Sequence, residues 1–322
     1  LIEAIARELR DNERFLLTTH VNPDGDAIGS LGALALVLED LGKEVVAYCQ
    51  DEIPGFLRFL PYSDRIVREV QSPDRFDVAV VLDCGELDRI GNADEILQRV
   101  EKIIHIDHHS SSDDFGQLNL VLPECSSTAE ILYEIFQIIP VSLSSQAAEN
   151  IYTAILTDTG SFRFANTTGR ALHIAAEMVK LGVAPDKIAT EVYDSMSPER
   201  LRLLALSLKT LTLRANGRLA TMQVSQRMLE ETKTTVMDTD GFVNYPRGIN
   251  SAEMAIFFRE MDSGKVNVSL RSRGRLNVAE FAHNYDGGGH HNAAAFRAEG
   301  SLTEVVEEIL AAAEKFIAGG SQ

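Results

Sequence analysis

The sequence predicts an α/β protein: a doubly wound, mainly parallel sheet, then a smaller α+β domain, joined by a helical connector. Three observations carry this. From residue 15 to about 160, short apolar runs alternate with amphipathic segments, and strands interleaved with helices build parallel sheets. Those runs are β-branched and do not alternate with polar residues, as expected of strands buried on both faces. After Asn216-Gly217 the pattern changes to strands separated by turns such as "DSG".

The elements follow in order. "LIEAIARELRDNERF" reads as an amphipathic helix and lacks the basic and apolar regions of a signal peptide. "FLLTTH" is the first strand, and "AIGSLGALALVLEDLG" is a helix stopped by Gly42. "EVVAYCQ", "FDVAVVLDCG" and "KIIHIDHH" are three further strands. Helices are expected at 127–139, 144–158 and 168–182, the last stopped by Gly182. In 186–215, Ser197 reads as an N-cap and Pro198 as the first helical residue. In the second domain "RLATMQVS", "AEMAIFFREM", "KVNVSLRSR" and "AAAFRAEG" read as strands. "VAEFAHNY" and "LTEVVEEILAAAEKFIAG" read as helices. The expected division is 1–188, a connector over 189–215, and 216–322.

The chain of 322 residues carries a formal charge of −18. That argues against a protein that coats nucleic acid, because phosphate binding needs a basic footprint. A small phosphorylated substrate stays open, since bound metals reverse the local sign of a site. No apolar run approaches the about 20 residues of a membrane span. Cys49, Cys84 and Cys125 are odd in number and far apart. They suit a reducing cytoplasm and suggest neither a disulfide framework nor a zinc knuckle.

Acids and imidazoles recur where predicted strands end. His20, Asp24 and Asp26 follow the first strand, Asp83 closes "VAVVLD", and Asp107, His108 and His109 close "IIHID". Asp158 ends the helix "AENIYTAILTD". Taken singly, an Asp at a strand end is a turn former or helix N-cap, and Asp107 only orients a histidine. Taken together, they crowd the crevice outside the carboxyl ends of strands, where open α/β sheets bind ligands. Such crowding is costly without cations. Mixed oxygen and nitrogen ligands favour Mn²⁺ or Mg²⁺ over a structural zinc, and six ligands suit two ions better than one. Cys84 reads as a packed residue rather than a soft ligand. Gly25 lets the chain turn between two carboxylates, and Gly29 and Gly32 ease the helix toward the sheet.

These motifs carry a resemblance. "HVNPDGDAIGS", "LDCGELDRIG", "HIDHHSS" and "ILTDTGSFRF" are similar to the four signatures of the DHH phosphoesterase superfamily. "SLRSRGRLNVAEFAHNYDGGGHHNAAAF" resembles its DHHA1 domain, whose hallmark is a Gly-Gly-Gly-His turn. Within the superfamily the chain most resembles the two-domain, NrnA-like oligoribonucleases, which also dephosphorylate 3′-phosphoadenosine 5′-phosphate (pAp).

The resemblance implies two divalent ions, Mn²⁺ with Mg²⁺ or Co²⁺ as alternatives. His20 and Asp24 would hold one ion and Asp26, His108 and Asp158 the other, with Asp83 bridging. His109 would contact the phosphoryl group and Asp107 would hold the histidines. Arg271, Arg273, Gly287, Gly288, Gly289 and His290 would bind the substrate anion, with Arg259, Asn244 and Arg247 beside them. The "LRSR" alternation places Arg271 and Arg273 on one strand face. His291 stands where a lysine is usual in this group, which removes a fixed charge. The implied partners are short single-stranded RNA, dinucleotides and pAp, with no membrane; a homodimer is left open. Alternatives are a phosphodiesterase for signalling dinucleotides and a nucleotide-binding sensor without catalysis.

Overall fold

The computed structural model describes residues 1–70, 75–93, 97, 100–261 and 264–319. Asp262 and Ser263 of the expected "DSG" turn lie outside these residues. The chain divides into two compact units, Leu1–Ser195 and Met196–Gln322.

In the first unit, five strands form one parallel sheet: β1 (Arg14–Thr18), β2 (Glu44–Tyr48), β3 (Val78–Leu82), β4 (Lys102–Asp107) and β5 (Leu118–Val121). Their order is β2-β1-β3-β4-β5, so the winding reverses between β1 and β3. Both faces are buried. Phe15, Leu17, Val78, Val80 and Leu82 pack into the main core, while Leu16, Ala79 and Val81 pack on the opposite side. Burying one such side chain contributes roughly 1.5–3 kcal/mol, and two buried faces leave no reason for polar alternation. The fifth strand was not expected. "LNLV" is short and follows a polar run, and its strand character comes from pairing with β4.

The helices of this unit span Ile2–Asp11, Gly25–Asp40, Thr128–Phe136, Ser145–Asp158, Gly169–Lys180 and Pro185–Tyr193. Gly42 and Gly182 follow two of them with φ of +79° and +105°. The glycines of the second helix act differently from the expectation. A Cβ on Gly25 would collide with the Thr157 side chain. One on Gly29 would stand 2.6 Å from the Asn150 carbonyl oxygen, and one on Gly32 2.7 Å from Asn150 Oδ1. The close approach is to helix Ser145–Asp158 rather than to the sheet. These contacts run the two helices antiparallel, so the end of one, Asp158, meets the start of the other. Gly25 itself is the first helical residue, not a turn.

Ile188 and Val192 of the last helix belong to the first core. The next helix, Pro198–Leu208, starts at Ser197, whose hydroxyl accepts from Arg200 N. Its Leu203 and Leu204 pack with Met222, Val224, Leu229, Phe242 and Phe257 of the second unit. The boundary thus falls inside the stretch 189–215, with one helix given to each unit.

The second unit holds β6 (Thr212–Arg214), β7 (Leu219–Val224), β8 (Met254–Glu260), β9 (Lys265–Ser272), β10 (Gly288–His290) and β11 (Ala293–Glu299). Their order is β10-β11-β9-β8-β7-β6. β7 and β8 are parallel, and the other pairs are antiparallel. Ile256, Phe258, Val266, Val268 and Leu270 pack against Val305, Ile309 and Ala313 of helix Leu302–Gly319. Among the described residues no helix is long and apolar enough to cross a membrane.

Two local expectations fail here. β9 ends at Ser272, so the alternation stops before Arg273, whose N–H donates to the Glu253 carbonyl (2.9 Å). The triple glycine is no turn: Gly288–His290 forms edge strand β10 against Ala293–Ala295. Gly289 has φ +141°, and a Cβ there would meet the Ala293 carbonyl oxygen and Ala294 Cα. Only glycine lets β11 come this close.

Candidate metal centre

The polar residues of the first unit gather around the reversal point between β1 and β3. His20 stands two residues past β1, Asp83 one residue past β3, and Asp107 to His109 at the end of β4. Crevices at such reversal points are where open parallel sheets bind ligands. Asp24 caps helix Gly25–Asp40, accepting from Asp26 N (3.0 Å) and Ala27 N (3.1 Å). It is therefore an N-cap and a member of the cluster at once.

The two oxygens of Asp83 face different histidines. Oδ2 lies 3.6 Å from His20 Nε2. Oδ1 lies 3.5 Å from His108 Nε2 and 3.6 Å from His109 Nδ1. His108 Nε2 is also 3.7 Å from Asp26 Oδ2 and 3.8 Å from Asp158 Oδ2. Two groups of potential ligand atoms emerge, His20–Asp24–Asp83 and Asp83–His108–His109, with Asp83 in both. Separations of 3.5–3.8 Å are too long for hydrogen bonds. They suit ligands sharing one ion at about 2.0–2.2 Å from each. The donor set, oxygen and imidazole without thiolate, fits hard or borderline divalent ions. Burial pushes the Cys84 thiol up to about 12, so it stays protonated and packed.

Without cations the cluster is electrostatically costly. Burial, then Asp26 and Asp24, raise the Asp83 carboxyl well above the carboxylate range. Burial raises Asp158 to about 7, against the pull of His108. His108 is raised to about 9: burial opposes its charge, but Asp158, Asp83 and Asp26 overcome it. Asp83 also adopts φ +54°, a region that non-glycine residues enter rarely and at functional sites.

Asp107 plays a separate part. Burial acts to raise its carboxyl, yet neighbouring donors hold it far below the usual range. His109 Nδ1 and His108 N both lie 2.7 Å from Oδ1, and the Ser112 hydroxyl donates to Oδ2. Its neighbour on the same strand, His105, bonds the Cys84 carbonyl through Nε2 (3.0 Å).

In the second unit, Arg271 and Arg259 lie opposite Ala255 and Asn267 in the β8–β9 register. Burial lowers the Arg271 pKa, with Asp240 opposing and Arg247 adding to the effect. Burial likewise lowers that of Arg259, against Asp240. Arg259 Nη1 donates to Val236 O and Thr239 Oγ1, both at 3.1 Å. Asn244 and Arg247 bound a short helix beyond this segment. Arg273 is exposed and outside the strand. His290 ends β10, and its side chain lies outside what is described.

Sequence reasoning missed Thr128 and Asn166. Thr128 N donates to Asp26 Oδ2 (2.6 Å) and its hydroxyl to Asp83 Oδ1 (3.2 Å). Asn166 Nδ2 donates to Asp158 Oδ2 (3.1 Å). The helix expected over 127–139 was legible, but not the contact of its start with residues 102 and 45 positions away.

Residues 14–156 match the DHH family, N-terminal domain, and residues 216–319 match the DHHA1 domain. The Thermus thermophilus bifunctional oligoribonuclease and PAP phosphatase NrnA is 36% identical, over 92% of this chain and 88% of its own length. The Bacillus subtilis protein of the same name is 28% identical, over 86% and 87%. The crystal structure of an exopolyphosphatase-related protein from Bacteroides fragilis superposes with a TM-score of 0.92 at 29% identity, over 100% of this chain and 97% of that one. The chain belongs to the DHH family and carries a DHHA1 domain.

Proposed function

We propose that this protein is a phosphoesterase, dependent on two divalent ions, that degrades very short RNA to 5′-mononucleotides and converts pAp to AMP and phosphate. The observation that carries this reading is Asp83, whose two oxygens face two separate ligand groups. The names of the relatives supply the substrates. His20 and Asp24 would hold one ion and Asp26, His108 and Asp158 the other, with Asp83 shared between them. Mn²⁺ is the preferred ion, with Mg²⁺ and Co²⁺ as alternatives. Two bound ions supply a water of lowered pKa and neutralise charge on the phosphoryl group.

The chain's own groups do the rest. Asp107 fixes the His109 ring through Nδ1, leaving Nε2 for a phosphoryl oxygen. Arg271 and Arg259, with Gly287, Gly288, Gly289, His290, Asn244 and Arg273, are assigned to an anion subsite of the second unit, since arginine forks bind phosphate bidentately. pAp and a 5′-phosphorylated dinucleotide share a nucleoside with a 5′-phosphate and a phosphorus ester on its 3′ oxygen. One anion subsite therefore serves both. The net charge of −18 leaves no long basic track and favours very short chains. Three unpaired cysteines fit a cytoplasmic setting.

The test is a panel of pAp, pApA, a 5-mer RNA, a cyclic dinucleotide and pyrophosphate, each with Mn²⁺, Mg²⁺ or Co²⁺. Turnover of pAp and the short RNAs is expected. Turnover of the cyclic dinucleotide alone would reassign the substrate, and no turnover of any phosphoester would leave a nucleotide-binding sensor.

A further inference from the structure

We infer that Thr128 is a positioning residue of the metal centre, which sets the orientation of the bridging Asp83 relative to Asp26. The inference rests on the dinuclear reading above. Thr128 is fully buried and offers no ligand of the kind that the two groups contain. Yet it touches two of the carboxylates by two different atoms. Its backbone N–H, at the start of helix Thr128–Phe136, donates to Asp26 Oδ2 at 2.6 Å. Its hydroxyl donates to Asp83 Oδ1 at 3.2 Å.

The turn around it is fixed independently. Ser127 caps the helix through Glu130 N (3.2 Å), and the Glu130 carboxylate accepts from Ser126 N (2.8 Å) and Oγ (2.6 Å). Asn166 Nδ2 joins Ser126 O (3.1 Å) to Asp158 Oδ2 (3.1 Å). Asp26 is held further by Ala129 N (3.1 Å) and the Ser30 hydroxyl (2.9 Å). The turn thus bonds Asp26 and Asp83 directly and is tied to Asp158 through Asn166.

The hydroxyl matters because a bridging carboxylate must send one oxygen to each ion. Rotation about the terminal bond of an aspartate is soft and roughly two-fold. A donor on Oδ1 selects the orientation in which Oδ1 faces His108 and His109 while Oδ2 faces His20. Without it, Asp26 and Asp24 still repel Asp83, and Oδ1 keeps only the longer approaches of His108 and His109, at 3.5 and 3.6 Å.

Thr128→Val keeps the shape and the backbone donor to Asp26 and removes only the hydroxyl; Thr128→Ser keeps the hydroxyl. Full-length proteins are titrated with Mn²⁺ by calorimetry and by electron paramagnetic resonance, and kcat and KM are measured on pAp. The valine variant should bind Mn²⁺ about 10–100-fold more weakly, lose the spin-coupled two-ion signal and lose kcat with KM unchanged. The serine variant should restore all three. Two ions bound by Thr128→Val with wild-type affinity and coupling would overturn the inference and leave the metal centre standing. No divalent ion bound by the wild type would overturn both.

Discussion

The two units solve opposite electrostatic problems with the same device. The first buries carboxylates together: Asp26, Asp83 and Asp158 all sit above the ordinary range, chiefly through burial. The second holds guanidinium groups out of water: Arg259 and Arg271 sit below theirs, again chiefly through burial. In neither place does the chain supply full compensation. Asp240 is the acid that acts on both arginines, and His108 is the base that acts on all three carboxylates. On the proposed reading each unit receives charge from outside, cations in the first and an anion in the second. On that reading folding stability is traded for binding at both sites.

The largest test of this contrast is Asp83→Asn. Activity should fall by more than the about 10–100-fold that loss of an outer-shell partner costs, and the two-ion signal should vanish. The metal-free variant should melt above the metal-free wild type, because an acid that burial and its neighbours penalise when ionised is replaced by a neutral amide. If it melts lower, the acids of the first unit are not waiting for cations.

Next is Arg271→Ala. Loss of a charge-assisted bond worth about 1.5–3 kcal/mol should raise KM for pAp roughly 10–150-fold, with metal stoichiometry unchanged. Altered metal binding in this variant would erase the distinction between the units.

The pH dependence is a smaller effect. Burial raises Asp158 so that it holds its proton to about 7 in the fold against an ordinary 3.8, and, against burial, the surrounding acids raise His108 to about 9 against 6.5. Through these two groups the metal-free native state binds more protons than the unfolded chain above the pH range where ordinary carboxylates titrate and up to about 9. Its stability should therefore fall as pH rises. Thermal midpoints in chelator across that range check this. Added Mn²⁺ should flatten or reverse the slope, since ligands must deprotonate to bind it.

The smallest effect is expected of His291→Lys. His291 is exposed and lies near Gly274 O (3.3 Å), so a restored fixed charge should lower KM by a small factor at most, and more so in low salt.

Much of the fold was legible because its strands are buried on both faces, which leaves unbroken apolar runs such as "VAVVL". β5 was not, since "LNLV" depends on its neighbour β4. The end of β9 before Arg273 and the strand character of Gly288–His290 were not legible either. Both are decided by pairing across the sheet, and glycine gives no local preference.

By itself the sequence determined which acids and imidazoles stand at the ends of which strands, because alternating strand and helix of this composition form a parallel sheet. That placed His20, Asp83 and His108 on one rim. Tertiary structure alone decided the rest. A stripe of glycines brings Asp158 alongside Asp26, and a helix start more than a hundred residues away grips Asp26 while its hydroxyl turns Asp83. A chain pattern records periodicity and local capping. The orientation of a carboxylate is set by donors that only packing brings near.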